Sequence, residues 1–203
     1  MFYATQNQFG LTFDQVRKLY PNNSFPASGE INMPDVQGYT PSTTPDYDPA
    51  THAVREVAPV DGVQQWEVYA LPAEDVSANR AAARAAKWEA IKAERDRRKA
   101  LGVKVGAHWF HSDDPSRIQQ IALAMMGNAI PAGLMWKTLT TTPPPVFVAM
   151  TPALAQGIFM ATAASDAAIF AAAETHRGAM EAMPDPENYD CTGGWPASIE
   201  DEA

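Results

Sequence analysis

The sequence predicts an α+β fold: a small proline-rich N-terminal module with β-structure, a long connecting α-helix, and a C-terminal β-α-β-β-α domain with a three-stranded antiparallel sheet, followed by an acidic extended tail. Eight of the 17 prolines lie between Pro21 and Pro72, where they interrupt regular structure. Neither Gly nor Pro occurs over residues 74–101. After residue 101, segments with strand-like alternation are followed by segments with helical periodicity. The predicted parts are an attachment module at 1–72, the helix at 73–101, the α+β domain at 102–183 and an acidic arm at 184–203.

One helix and one hairpin are predicted in the N-terminal module. Thr12 is a suitable cap for a short helix over Leu11–Leu19. Asp61-Gly62 is typical of a tight hairpin turn, and apolar and polar side chains alternate around it within Val54–Leu71. A domain of this size buries only about 60% of its surface on folding, so we expect the module to be marginal by itself.

The long helix is predicted by its two ends and its uninterrupted middle. Glu74 and Asp75 suit the positive end of the helix dipole, Arg97–Lys99 suit the negative end, and Gly102 is a stop signal. At about 1.5 Å per residue, residues 74–101 give a rod of roughly 42 Å. Three charge pairs at helical spacing would support an exposed surface; they are Glu94–Arg98, Glu89–Lys92 and Asp96–Lys99.

This helix carries few large apolar side chains, namely Val76, Trp88 and Ile91 before Leu101. Two interpretations are open: a solvated rod that connects two modules, which is favoured, or a coil that packs against copies of itself.

The C-terminal half predicts strand, helix, strand, strand and helix. Alternation over 103–110 indicates the first strand, and Asp114 followed by Pro115 indicates the start of a helix. The apolar residues of that helix fall on one face; they are Ile118, Ile121, Ala122 and Met125. Strands follow at 134–138 and 146–148, and a last helix with a broad apolar stripe runs from Thr151-Pro152 to Met183. The acidic remainder lacks periodicity, and we expect an arm that is ordered only on a partner.

Candidates for catalysis or metal binding are few. His108, His111, Asp113 and Asp114 form the one cluster of metal-ligating residue types, but residues three apart on a strand point to opposite faces, so a strand end and a helix cap are favoured. Cys191 has no basic neighbour in sequence to activate it. We therefore predict no catalytic, cofactor-binding or metal-binding residue, and no cofactor.

Charge and composition limit the partners. The 203-residue chain has 46% apolar residues, one cysteine and a formal charge of −9. An acidic chain is a poor ligand for nucleic acid. The apolar stretch near 154–173 is broken by Ser165 and Asp166, and the first residues lack the pattern of a signal peptide. We expect that the chain does not insert into a membrane. We also expect that it is synthesised in a host cytoplasm.

Isolated large side chains in thinly cored segments are the candidate protein–protein contacts. They are Trp66, Trp88, Ile91, Tyr189 and Trp195. Trp88 lies among basic residues of the helix, but a packed aromatic contact is favoured over base stacking.

Several short segments carry a resemblance to a known family. They are Arg95-Asp-Arg-Arg-Lys, Val103-Lys-Val-Gly-Ala-His-Trp-Phe-His-Ser-Asp-Asp, Gln120-Ile-Ala-Leu-Ala-Met-Met-Gly, Trp136-Lys-Thr and Phe147-Val-Ala-Met-Thr-Pro-Ala-Leu. Through them, residues 95–183 resemble an uncharacterised domain of tail-fibre and tail-assembly regions in tailed bacteriophages and prophages. The N-terminal segments Leu19-Tyr-Pro-Asn-Asn-Ser-Phe-Pro, Gly38-Tyr-Thr-Pro and Pro45-Asp-Tyr-Asp-Pro are similar to the opening module of small tail-fibre-associated proteins.

The resemblance implies a non-enzymatic structural component of a phage tail tip or baseplate, located in the virion, that attaches or presents host-binding tail fibres. Its partners would be other tail, baseplate or fibre proteins and copies of itself, with a trimer favoured by analogy with fibres. The alternative is a tail-fibre assembly chaperone. A third hypothesis, an enzyme acting on the cell envelope, depends only on His108, His111 and their acidic neighbours.

Overall fold

The structure is a computed structural model, and it describes residues 1–26 and 30–202. Within these residues it contains four α-helices and four two-stranded antiparallel sheets, which agrees with the predicted α+β class. The chain divides into two compact units, Met1–Asn79 and Arg80–Ala203. The division falls inside the predicted connecting helix. Residues 27–29 of the predicted N-terminal module and Ala203 at the end of the predicted arm lie outside the described residues.

The first unit contains the predicted helix and the predicted hairpin. Helix α1 spans Phe13–Leu19, and Thr12 caps it in a capping box with Gln15. The strand bounds are β1 Phe2–Ala4, β2 Gln37–Tyr39, β3 His52–Val60 and β4 Val63–Ala70, with β1 pairing β2 and β3 pairing β4. Asp61 and Gly62 form the turn between β3 and β4 with φ of 50° and 73°, the left-handed conformation that such a turn requires.

The first unit has a small core. Its buried apolar residues are Tyr3, Leu11, Val16, Ile31 and Val36. Beside them, the Tyr39 hydroxyl accepts the Gly10 N–H at 2.6 Å and donates to the Glu56 carboxylate. Burial, with the Glu56 hydrogen bond, raises the pKa of Tyr39 to about 12, so this hydroxyl stays protonated as a donor.

Helix α2 spans Ala73–Lys99, close to the predicted bounds. Beyond Arg80 it is part of the second unit, where Ile91 is fully buried against Ala173 and Met180. The prediction of a solvated rod is therefore wrong for this part of α2, because its rare large apolar side chains pack into a core of the same chain.

The ion pairs on α2 follow the prediction in two cases of three. Glu94 bonds Arg98 at 2.6 Å, and Glu89 bonds Lys92 at 2.7 Å. Asp96 instead bonds its neighbour Arg95 at 2.8 Å, while the Lys99 ammonium lies 5.5 Å from the centroid of the Phe170 ring.

The predicted three-stranded sheet is not formed in the described residues. The segment expected to be one strand is a hairpin of β5 (Val103–Val105) and β6 (His108–Phe110), because Gly106 takes a φ of 62° and reverses the chain. Strands β7 (Met135–Lys137) and β8 (Phe147–Ala149) form a second hairpin. One bridge, with the Leu139 N–H donating to the Trp109 carbonyl at 2.8 Å, joins the two hairpins.

Two helices enclose the main core of the second unit. They are α3 (Asp114–Met126) and α4 (Pro152–Ala182). The cap of α3 is Asp113, one residue before the predicted Asp114. The core residues are Val103, Phe110, Leu123, Met150, Ala155 and Ile158.

The acidic tail is not the extended, partner-dependent arm that the sequence predicts. It forms 3-10 turns at Pro186–Asn188 and Ile199–Glu202, and Pro186 and Ile199 are buried. The tail packs on α2 and α4 because its aromatic rings complete an apolar cluster there, while its carboxylates meet the basic end of α2.

A glycine substitution tests how closely the chain at Gly102 approaches Leu139 and Phe110. Gly102 has a φ of 95°, and a Cβ there would lie 2.6 Å from Leu139 Cδ2 and 3.0 Å from the Phe110 carbonyl oxygen. Gly102→Ala should lower the free energy of unfolding by about 2 kcal/mol or more, since strain and a clash combine.

Gly106→Ala is the matched control, with a φ of 62° but nothing within 4 Å of the added Cβ. We expect it to cost about 1 kcal/mol, from conformation alone. Thermal denaturation measures both, and equal losses would contradict the close approach at Gly102.

Candidate interaction surface of the second unit

Four of the five predicted contact residues meet in one cluster. Trp88 and Ile91 come from α2, while Tyr189 and Trp195 come from the tail, and all four lie around Ala173 and Met180 of α4. Ile91 is 0% exposed, so its side chain presents no surface to a partner in this fold. The other three are half-buried. That these five residues contact a partner protein stays a prediction. In the structure, four of them pack against residues of their own chain.

His176 of α4 is the polar centre of this cluster, which we call the arm cluster. Its Nδ1 lies 2.8 Å from the Tyr189 hydroxyl, and its ring centroid lies 4.8 Å from that of Trp195. The Trp195 indole N–H donates to the Cys191 carbonyl at 2.8 Å. Arg177 lies over the Trp88 ring at 5.0 Å. His176 could not be singled out from the sequence, because its partners Tyr189 and Trp195 lie at least 13 residues away.

Trp66, the fifth predicted residue, belongs to the first unit. It lies on β4, directly opposite Glu56 of β3. The ring is half-buried, and its indole nitrogen is buried with no acceptor among the described residues.

The end of the tail is held by charged groups. Glu202 accepts hydrogen bonds from the Trp109 indole N–H at 2.7 Å and from the Lys104 ammonium. Glu200 accepts two hydrogen bonds from Arg97, at 2.7 and 2.9 Å. The Lys104 and Trp109 hydrogen bonds lower the pKa of the Glu202 carboxyl below its ordinary value of 4.5.

This lowered pKa gives the attachment of the tail a pH dependence. A carboxyl with a lowered pKa in the folded state stabilises the fold above its unfolded pKa and loses that contribution as the pH falls further. We expect wild type to melt at a higher temperature than Glu202→Gln at neutral pH, with the difference closing below about pH 4.5. Gln keeps an acceptor for Trp109, so the variant isolates the charge. A difference that is constant from neutral to acidic pH would contradict this assignment.

A second surface of this unit was not predicted as a site. An open cavity of about 160 Å³ lies between α3 and α4. Its lining residues, which define the α3–α4 groove, are Arg117, Gln120, Ile121, Phe159, Thr162, Ala163 and Asp166. Arg117 and Asp166 bond each other in a bidentate pair, with distances of 2.6 and 2.9 Å.

Exposed apolar side chains surround this groove. The sequence correctly places Ile118, Ile121 and Met125 on one face of α3, but that face is exposed, at 69%, 44% and 83%. Phe159 of α4 is 40% exposed. The face of α3 that packs inward carries Leu123 and Gln120, whose amide donates to the His111 carbonyl at 2.6 Å. A period of 3.6 residues shows which side chains share a face but not whether that face is covered.

Helix α4 is buried along one face, where Ala155, Ile158, Ile169, Ala173 and Met180 lie, and exposed on the rest of its surface. Among the described residues it is the one helix long and apolar enough to span a membrane by length and composition, and only 22% of its most apolar window is buried. The exposed large apolar side chains of α4 are Phe159, Met160 and Phe170.

The histidine cluster has local roles. Asp113 accepts from the Ser116 backbone N–H at 3.1 Å and from the Ser116 hydroxyl at 2.9 Å, which is a helix cap. His111 Nδ1 lies 3.8 Å from Asp113. No group of three or more metal-ligating side chains is found in the parts of the chain that the structure describes.

Comparison with known proteins matches the chain to a protein family. The family described as "Domain of unknown function (DUF4376)" matches residues 82–192, a range that covers the arm cluster as far as Cys191 and the whole α3–α4 groove. No curated protein and no solved structure matches the chain.

Proposed function

This chain belongs to the DUF4376 family, which matches more than half of its length, and we propose that it is a structural component of a bacteriophage tail tip or baseplate. In this proposal it attaches or presents host-binding tail fibres through protein–protein contacts and catalyses no reaction. It would be made in the host cytoplasm and reside in the virion. The description of the DUF4376 family names no activity. The proposal of a bacteriophage tail protein therefore rests on the sequence resemblance described above.

One observation supports an interaction role in particular: an apolar face of α3 is exposed, together with Phe159, Met160 and Phe170 of α4. Met125 and Ile118 are 83% and 69% exposed, although both lie on the apolar face of their helix. Monomeric proteins rarely leave contiguous apolar surface of this kind uncovered unless it meets another molecule.

Copy number in purified particles tests the proposal. Quantitative mass spectrometry of virions made from the encoding genome should find the chain at a fixed ratio to known tail proteins, and a multiple of three is expected for a threefold-symmetric part. A chain that is required for infectivity but absent from finished particles would contradict the structural role and favour the assembly chaperone.

The envelope-enzyme hypothesis has its own test. Replacing His108 and His111 together by Ala should leave particle incorporation and infectivity unchanged, because neither imidazole is assigned a chemical role. Loss of a cell-wall-degrading activity in a folded double variant would overturn the non-enzymatic proposal.

A further inference from the structure

We propose that protonation of His176 releases residues 184–202 of the C-terminal tail from α2 and α4, so that acidic conditions uncover the arm cluster. The inference goes beyond the proposed function and does not rest on it, because it concerns how one chain changes its own fold. It gives the buried imidazole at the centre of the arm cluster a role as a switch.

His176 is buried beneath the aromatic rings of the tail. The residue is 7% exposed. The rings of Tyr189 and Trp195 lie 5.8 and 4.8 Å from its own ring, centroid to centroid. Both belong to the tail, so docking of the tail helps to remove this imidazole from water. A charged ring in this position loses its hydration, which costs free energy unless hydrogen bonds replace the lost water.

The hydrogen bonds of His176 suit a neutral ring. Its Nδ1 lies 2.8 Å from the Tyr189 hydroxyl, whereas its Nε2 is buried with no hydrogen-bond partner among the described residues. The chain at Gly194 closes over this nitrogen, since a Cβ added there would lie 3.6 Å from it. A neutral imidazole can place its single N–H on Nδ1, towards Tyr189, but a protonated imidazole must also carry one on Nε2. Protonation therefore leaves a charged, buried N–H without an acceptor in the described part of the chain.

Most of the charged groups around the arm cluster are paired with each other. The charged and titratable groups are Arg84, Lys87, Glu94 and Arg98 of α2, Glu174, Arg177 and Glu181 of α4, and Tyr189, Asp190 and Cys191 of the tail. Arg98 bonds Glu94 at 2.6 Å, and Arg177 bonds Glu181 at 2.9 Å. Because each of these pairs is neutral, it has little effect on a charge at His176.

Two further groups act on that charge in opposite directions. Asp190 attracts a charge on His176, but this carboxylate is exposed and accepts the Thr192 backbone N–H at 2.9 Å, so water weakens the attraction. Lys87, whose ammonium donates to the Tyr189 carbonyl at 2.9 Å, opposes a second positive charge. Burial and the missing acceptor therefore decide, and both favour the neutral ring while the tail is docked.

The tail can leave without breaking the hydrogen bonds of the two helices. Its own backbone hydrogen bonds are local, from Tyr189 N–H to the Pro186 carbonyl and from Asp201 N–H to the Ser198 carbonyl. In the part of the chain that the structure describes, none joins the tail to the backbone of α2 or α4. Once the tail has left, water can accept both N–H groups of a charged His176. The released form therefore binds a proton more readily than the docked form, so the docked fraction falls as the pH falls.

Hydrogen exchange of the full chain, measured by mass spectrometry, tests the switch. Protection factors, which correct for the effect of pH on intrinsic exchange, are compared between about pH 7.5 and about pH 5.5, where histidine titrates. The effect expected for Glu202 lies below about pH 4.5. Protection of residues 184–202 should fall about tenfold or more at the lower pH, the scale of one buried donor left without an acceptor. Helix α3 should keep its protection.

His176→Gln removes the titrating group, so its tail should have the same protection at both pH values. His52→Gln is the matched control. Nδ1 of His52 also lies near a hydroxyl, 2.9 Å from that of Thr51, but His52 belongs to the first unit. This variant should keep the wild-type response. A second measurement needs no variant: in the proton NMR spectrum of wild type, one histidine Cε1 proton should titrate with the same midpoint as the protection of the tail.

The proposal fails if the tail of wild type is equally protected at both pH values, or if His176→Gln keeps the wild-type response. It also fails if α3 and the tail lose protection together, because that is unfolding of the whole unit rather than release of the tail. If His176→Gln does not fold, the midpoints decide: a tail that loses protection at a pH where no histidine titrates overturns the assignment to His176.

Discussion

Deletion of residues 184–203 is expected to lower the free energy of unfolding of the second unit by roughly 4 kcal/mol, the scale of uncovering two or three core side chains. The tail covers Ile91 and Met180, which are 0% and 1% exposed in the intact chain. The deletion also removes Tyr189 and Trp195, whose rings pack on His176. Urea unfolding followed by the fluorescence of the remaining tryptophans measures the loss.

A charge-only variant separates packing from ion pairing in the tail. Glu200→Gln with Glu202→Gln keeps Tyr189 and Trp195 in place but removes the exposed ion pairs to Arg97 and Lys104. Exposed pairs of this kind contribute little, so the double variant should unfold much closer to wild type than the deletion does. If the deletion itself unfolds at the wild-type urea concentration, the tail is a free arm, as the sequence predicts.

Ile91→Ala should cost about 2–5 kcal/mol, because truncation of a fully buried aliphatic side chain leaves a cavity. Ile91 has no exposed surface and contacts the core residues of α4. In a unit of this size such a loss lowers the melting temperature of the isolated chain by roughly 10 °C.

Ile118→Ala is the control for Ile91→Ala, since Ile118 is 69% exposed on α3. Its effect on stability should stay within about 0.5 kcal/mol. The pair of variants decides between two roles for Ile91. If Ile91→Ala leaves the stability of the chain unchanged but reduces its incorporation into particles, Ile91 is a partner contact rather than a core residue.

The arm cluster changes how the charge pattern of the chain is understood. The basic end of α2 and the acidic tail, about 100 residues apart, satisfy each other through Arg97 and Glu200. This ion pair is made within the chain. Exposed apolar side chains are found instead on α3, at Ile118, Ile121 and Met125, and on α4, at Phe159 and Phe170.

The candidate site could be predicted only in part. The sequence singles out Trp88, Ile91, Tyr189 and Trp195 because large side chains are rare in their segments, and the structure brings these four together. The sequence does not indicate that these four residues pack within one chain, since a large apolar side chain suits a protein–protein interface and a core equally well. The α3–α4 groove gave no sequence signal, because its walls come from two helices that are distant in sequence.

The sequence by itself determined the local features of this protein. The capping of α1 by Thr12, the turn at Asp61-Gly62 and the length of α2 depend on residues a few positions apart, and their conformational preferences suffice. Only the tertiary structure decided which apolar surfaces are covered. The tail lies over Ile91, whereas Met125 remains exposed, because burial depends on contacts between distant segments that compete for the same apolar surface.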